Sequence, residues 1–408
     1  MSAPSLLRGY AAFALASAYF CHEFVQRVAT SVVVGDLMAA FALGGTVLGT
    51  LSSIYFYAYA GMQIPVGVLI DRYGPRRLMS GAAALSALGA LVFATAPMVE
   101  FAYVGRAMIG LGASFAWIGI LTVATLWLPA SRFSVLTGIA QAGGMAGAML
   151  GQAPLAVIVG EWGWRGALGG LAVVGAAIAV GLYATIPERP PQTAESTRPR
   201  LAAGLRVAAA NGQTWLHAIY GMAMTGTMLA FAGLWAVPWF ETVHGYSRTA
   251  AAGLASTMFL GWAVGAPLIG LLADRIRQRK PIMVAGGAAM TASLLLLLYL
   301  PALPWALAAI LLFLNGVGAS SMILSYGAAR ESNPPETSGA VYGIVNTGVV
   351  GSGALFQPLI GALLDANWYG ALVEGARVYD AQAYAIAFGV LPTIAFVGTL
   401  AAWRARPA

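Results

Sequence analysis

An acid and two arginines stand inside stretches that are otherwise apolar, and they are the residues here that could do chemistry. Tyr19, Glu23 and Arg27 recur every four residues within the apolar run 8–34, so on a helix they share one face, with Gln26 at its edge. Arg106 falls about two turns into the run 99–126. An ionisable group at membrane depth costs about 2.5–3.5 kcal/mol even on the mildest scale, which makes each a candidate for function. Arginine keeps its proton, whereas a buried carboxylate can be neutralised. Either Glu23 pairs permanently with an arginine, or it cycles a proton and leaves a guanidinium free for an anion. A guanidinium is shaped for bidentate binding of carboxylate, sulfonate or phosphate, and Arg27 ranks before Arg106 as its ligand. His22 points to another face and reads as a lipid-side or interhelical hydrogen-bonding residue.

The second half of the chain has no matching charge; the position answering Arg106, near Leu312, is apolar. It offers Trp235, Asn315, Tyr326, Tyr342, Asn346 and Gln357 instead. Asn346 and Gln357 answer Gln141 and Gln152 of the first half, so amides fall on related segments of both halves. Such amides either cradle a polar solute or tie helices together. Tyr55, Tyr57 and Tyr59 alternate, so they cannot share one helical face.

The elements that must position these groups are membrane helices. The 408 residues are 60% hydrophobic and 9% charged, far from a soluble globular domain. Apolar runs long enough to cross a hydrocarbon core recur at 8–34, 43–69, 77–97, 99–126, 132–160, 165–186, 211–240, 249–273, 281–301, 303–328, 337–365 and 381–403. The 51 glycines suit close helix packing. An all-α integral membrane protein of twelve spans is expected, with six-helix bundles at 1–186 and 211–408. Residues 187–210, rich in Pro, Thr, Ser and Arg, read as a flexible cytoplasmic linker.

The net charge of +7 follows topology rather than nucleic acid. Arg8, Arg72, Arg76, Arg77, Arg132, Arg189, Arg198, Arg200, Arg206, Arg275, Arg277, Arg279, Lys280, Arg330, Arg404 and Arg406 fall on one set of loops, and only Arg165, Arg248 and Arg377 on the other. The positive-inside rule then places both termini in the cytoplasm. Cys21 is the only cysteine, so no intrachain disulfide is expected. Residues 8–34 are too long and too polar for a cleaved signal peptide and read as a retained first helix. The sequence shows no phosphate-binding G-x-x-x-x-G-K-[ST] loop, no metal constellation and no G-x-S-x-G elbow. Neither a cofactor nor an enzymatic reaction is expected.

One loop signature occurs twice. Gly67-Val68-Leu69-Ile70-Asp71-Arg72-Tyr73-Gly74-Pro75-Arg76-Arg77 is answered, half a chain later, by Gly270-Leu271-Leu272-Ala273-Asp274-Arg275 and the basic run to Lys280. Gly110-Leu111-Gly112-Ala113-Ser114 is answered by Gly316-Val317-Gly318-Ala319-Ser320 at nearly the same offset, and Gly138-Ile139-Ala140-Gln141 by Gly343-Ile344-Val345-Asn346. Two homologous halves follow. In the loop, Gly67 and Gly74 permit tight helix exit and close approach, and Arg72, Arg76 and Arg77 can bind carboxylates or lipid phosphates. Asp71 can accept from a helix N-terminus.

The chain resembles the major facilitator superfamily over essentially its full length. The first loop fits the signature G-x-L-x-D-R-x-G-x-R-[RK], and Arg106 with Gly110 and Gly112 is similar to the fourth-helix motif. The resemblance implies alternating access about a central solute site, and it points Asp71 at the start of the eleventh span, near Thr337–Gly339. Gly147-Ala148-Met149-Leu150-Gly151 is followed by Gln152 where the drug/proton antiporters have proline.

The expected function is secondary transport of a small organic anion, with proton-coupled uptake. Tyr19, Arg27, Arg106, Gln141, Trp235, Asn346 and Gln357 are the candidate substrate ligands, and Glu23 carries the proton. Gly67, Asp71, Arg72, Gly74, Arg76, Asp274 and Arg275 form the conformational loops. The partners expected are the solute, protons and membrane lipid, without nucleic acid, and a monomer suffices for the path. The preference for arginine over lysine points to a bacterial inner membrane. Proton-coupled efflux of amphipathic compounds and a transporter-like solute sensor are the rival readings.

Overall fold

The computed structural model describes residues 6–188, 198–300 and 303–406. Nearly all of them are helical. In chain order the helices are α1 (Leu6–Val28), α2 (Val34–Phe41), α3 (Gly45–Tyr73), α4 (Pro75–Ala94), α5 (Val99–Trp127), α6 (Phe133–Leu150), α7 (Ala153–Thr185) and α8 (Arg198–Ala210). There follow α9 (Gly212–Ala230), α10 (Ala236–His244), α11 (Arg248–Ile276), α12 (Lys280–Tyr299), α13 (Trp305–Ser320), α14 (Ile323–Glu331), α15 (Ser338–Ala366), α16 (Ala381–Phe388) and α17 (Val390–Arg404). Ten helical stretches among the described residues are long and apolar enough to cross a membrane. Residues 189–197 of the expected linker lie outside the described residues, and its last part, Arg198–Ala210, is helical.

Local chemistry explains several boundaries. Ser247 accepts from the N–H of Ala250 at the start of α11, Asp380 from that of Ala383 at the start of α16, and Asn211 from that of Gln213 at the start of α9. These are the small polar caps that satisfy orphan N–H groups. Gly163, at φ 68°, breaks the helical run inside α7 where the fifth and sixth expected spans meet. Between α9 and α10 the chain winds through a π-helical turn, Phe231–Trp235. Pro238 lies just beyond it and has no N–H for the carbonyl of Leu234, so a wider turn upstream suits the sequence. Proline 65 and proline 358 stand inside α3 and α15.

The chain divides into two compact units: residues 1–33 with 54–195, and residues 34–53 with 196–408. In the first, α1 packs on α5, α6 and α7, and α4 on α5 and α7. In the second, α9 packs on α15 and α17, α11 on α13, and α12 on α13 and α17. Both are built around the same close approach. A Cβ on Gly110 would collide with the backbone carbonyl of Tyr55, and a Cβ on Gly316 with that of Met258. The repeated sequence pair is thus a repeated helix contact.

The second unit also holds α2 and the first turns of α3. α3 begins at Gly45 with no small polar cap of its own, and Asp365 at the end of α15 supplies one. Its carboxylate accepts from the N–H groups of Gly45 (2.8 Å) and Thr46 (2.9 Å), the Thr46 hydroxyl (2.7 Å) and the Tyr379 hydroxyl (2.7 Å). Arg377 adds an ion pair at 3.1 Å. Burial, and then the bond to Asp365, push the Tyr379 phenol up from its ordinary range, so it stays a donor. Arg377 and Tyr379 are delivered by a two-stranded hairpin, β1 (Leu372–Val373) and β2 (Ala376–Arg377). Its two turn residues, Glu374 and Gly375, both have positive φ, the geometry of a tight hairpin turn.

Candidate functional site

The embedded charges gather in the first unit, where α1 meets α3 and α5. Glu23 is 1% exposed, and neither carboxylate oxygen has a hydrogen-bond partner among the described residues. Arg27, one turn further along α1, makes no ion pair with it. Arg27 instead donates through Nε to the Tyr55 hydroxyl at 3.3 Å. Its guanidinium carbon lies 4.1 Å from the Phe24 ring centroid and 5.4 Å from those of Tyr55 and Tyr59. Three rings around one cation are a cation–π enclosure, worth about 0.5–2 kcal/mol per contact according to desolvation.

Arg106 is fully buried on α5 and reaches α1, donating through Nη1 to the carbonyl of Gln26 at 2.8 Å. It lies 5.2 Å from the Tyr55 ring. Gln26 in turn donates to Ser86 at 2.9 Å and stands 3.0 Å from His22 Nε2. His22 is therefore joined through Gln26 of its own helix to Ser86 on α4. Tyr19 shares the face of Glu23, but its hydroxyl donates to the carbonyl of Gly112 at 2.8 Å and the residue is wholly buried. It fastens α1 to α5.

The amides fare differently from one another. Gln152 accepts from Ser31 at 3.2 Å and is buried. In the second unit Trp235 donates to the carbonyl of Gln357 at 3.1 Å, and the Gln357 side chain donates to that of Leu229 at 3.0 Å. These two predicted residues meet, both fully buried, against the π-helical turn. Their bonds hold α15 to the wound-open helix. Asn346 is partly buried and accepts from Tyr326 at 2.8 Å. Gln141 is partly buried on α6.

In the loops, Gly74 adopts φ 82° before Pro75 begins α4, the arrangement a sharp helix restart needs. Among the described residues, a Cβ on Gly67 would meet open space. Arg76 donates to the carbonyl of Tyr183 at 2.7 Å, and Arg76 and Arg77 pair with Glu188 at 3.7 and 2.9 Å. Arg72 is exposed and lies against Tyr73. The side chain of Asp71 lies outside the described residues. Asp274 and Arg275 are exposed at the end of α11, and the nearby ion pair there is Arg279 with Glu331 at 2.6 Å.

Sequence reading alone passed over Asp365, and it named Gln26 and Tyr55 without assigning either a role. Tyr55 was hidden among three alternating tyrosines. The signal for Asp365 was present, because an uncapped helix start at Gly45-Thr46 calls for a carboxylate from elsewhere.

The fold and sequence have relatives. A gentisate transporter of Corynebacterium glutamicum is 26% identical over 351 residues, 82% of this chain and 77% of that one. A probable sulfoacetate transporter of Cupriavidus necator is 24% identical over 285 residues, and the chain spans 65% of its length. An uncharacterised transporter of Bacillus subtilis is 28% identical over 143 residues, of which the chain spans 33%. Among solved structures, a bacterial homologue of the human lysosomal transporter Spinster, inward-facing and occupied, has a TM-score of 0.76 at 16% identity, covering 96% of both chains. A D-xylose–proton symporter gives the same TM-score at 15% identity, covering 98% of both chains. The Major Facilitator Superfamily model matches residues 15–358 and again 236–408. On that match the chain belongs to the Major Facilitator Superfamily of membrane transporters.

Proposed function

We propose that the protein is a secondary transporter for small organic carboxylates and related anions, taken up together with protons. The observation that carries this reading is the environment of Arg27: a partly buried guanidinium, held by a phenol and by rings, with no carboxylate paired to it among the described residues. A cation kept so is ready for an anion from outside. The names of two relatives, a gentisate and a probable sulfoacetate transporter, describe organic anions that carry a carboxylate and so agree with it.

In this reading Arg27 binds the anion and Arg106 adds to the positive field. Glu23, buried without a hydrogen-bond donor, takes up and releases the coupling proton. Twelve spans, with both termini in the cytoplasm, complete the architecture; the basic loops on one side support that orientation.

Thermal unfolding of the purified protein tests the reading. Gentisate, sulfoacetate, an amphipathic cation and a neutral sugar are compared at acidic and neutral pH. A bound ligand at 100 times its Kd stabilises by about 2.7 kcal/mol. Stabilisation by the anions, lost in Arg27→Gln, is the expected result. Stabilisation by amphipathic cations alone would contradict it and turn attention to efflux.

A further inference from the structure

Tyr55 stands at the centre of the charged cluster. Its ring is within cation–π reach of two guanidiniums, 5.4 Å from Arg27 and 5.2 Å from Arg106. Its hydroxyl takes the Nε–H of Arg27. It is wholly buried, stacked 6.1 Å from the Tyr59 ring at 19°. Its backbone is fixed as well, because Gly110 packs directly against its carbonyl.

The repeat makes this placement informative. Gly316 packs against Met258 as Gly110 packs against Tyr55. The second half thus carries a methionine where the first carries the tyrosine, and an apolar Leu312 in the region answering Arg106. The helix contact is satisfied by either side chain. What accompanies the phenol is the pair of arginines.

Two physical consequences follow. Like charges near one another in a low-dielectric site repel, and an electron-rich ring beside both offsets part of that cost. A guanidinium can also meet a carboxylate either along the Nε–Nη edge or through its two Nη groups. The Tyr55 hydroxyl occupies Nε, so an anion meets the guanidinium from its Nη side.

We propose that Tyr55 is the positioning residue of the anion site: it holds the Arg27 guanidinium so that a compact carboxylate binds from its Nη side, with Arg106 beside it. This rests on the reading of Arg27 as the anion ligand. Tyr55 acts through the arginine and does not touch the substrate.

The test is uptake of gentisate and of sulfoacetate into proteoliposomes by wild-type protein, Tyr55→Phe and Tyr57→Phe. Loss of one hydrogen bond to a charged group should raise KM about tenfold in Tyr55→Phe, with the maximal rate within about twofold of wild type. Tyr57→Phe, at an exposed position of the same helix, should keep the wild-type KM. Unfolding of the anion-free proteins should be alike, which separates positioning from folding. An unchanged KM in Tyr55→Phe, with saturable uptake by the wild type, overturns the role of Tyr55 and leaves the anion reading standing. An equal rise in both variants also overturns it. Absence of saturable uptake of either anion by the wild type overturns the anion reading, and the role of Tyr55 with it.

Discussion

Arg27 gives its Nε–H to Tyr55, at 3.3 Å, and not to Glu23 one helical turn before it. The pair that the sequence spacing invites is therefore not made. A turn of helix brings two side chains to the same face, but rings from α1 and α3 decide which partner the guanidinium meets.

The first prediction concerns stability. Breaking a buried ion pair by removing one partner costs about 3–5 kcal/mol. Glu23 is in no such pair, so Glu23→Gln should change unfolding stability by less than about 1 kcal/mol, the range of substitutions that break no special feature. Chemical denaturation in detergent measures this. A loss of several kcal/mol would show that Glu23 is a structural ion-pair partner.

Asp365 makes a contrasting case. It caps the start of α3 through two backbone N–H groups, and removal of a cap costs about 0.5–2 kcal/mol. Asp365→Ala should therefore destabilise, Asp365→Asn less so, and both should speed hydrogen exchange at Gly45 and Thr46. Unchanged protection of those two amides would refute the capping role.

The glycines of the repeat can be sorted by space. Gly110→Ala and Gly316→Ala drive a methyl into a neighbouring carbonyl, and overpacking of this kind costs about 1–3 kcal/mol. Gly67→Ala meets open space and should be tolerated, with a gain in helix propensity. Thermal unfolding of the three variants checks the order, and equal effects would contradict it.

The loop arginines are a matter of magnitude. Glu188 is about half exposed, and exposed ion pairs contribute about 0–1 kcal/mol. Glu188→Ala should leave stability within that range, a result that a denaturation midpoint resolves directly. A larger loss would make the Arg76–Arg77–Glu188 cluster structural.

Much of the architecture was legible because it depends on composition and repetition. Hydropathy pointed to membrane helices, ten of them long and apolar enough among the described residues, and the Gly110 and Gly316 repeats located a real helix contact. The cluster of Glu23, Arg27 and Arg106 was legible for the same reason: charge in an apolar run stands out. Partner choice was not legible. Tyr19 and Gln357 are polar residues in spans, yet each spends its hydrogen bonds on a backbone carbonyl of a neighbouring helix. Type and spacing cannot tell such a tie from a ligand contact, because the deciding neighbour is far away in sequence. The hairpin at Leu372–Arg377 escaped notice because two short strands leave no periodic signal, only the Glu374-Gly375 turn.

The most direct test of the central claim is anion uptake into proteoliposomes under an imposed inward proton gradient, with proton movement followed in the same vesicles. The account predicts that wild-type protein accumulates gentisate or sulfoacetate with the gradient and moves protons with it. Glu23→Gln should still equilibrate the anion, without accumulation and without pH dependence. Gradient-driven accumulation by Glu23→Gln, with the pH dependence of the wild type, would contradict the claim.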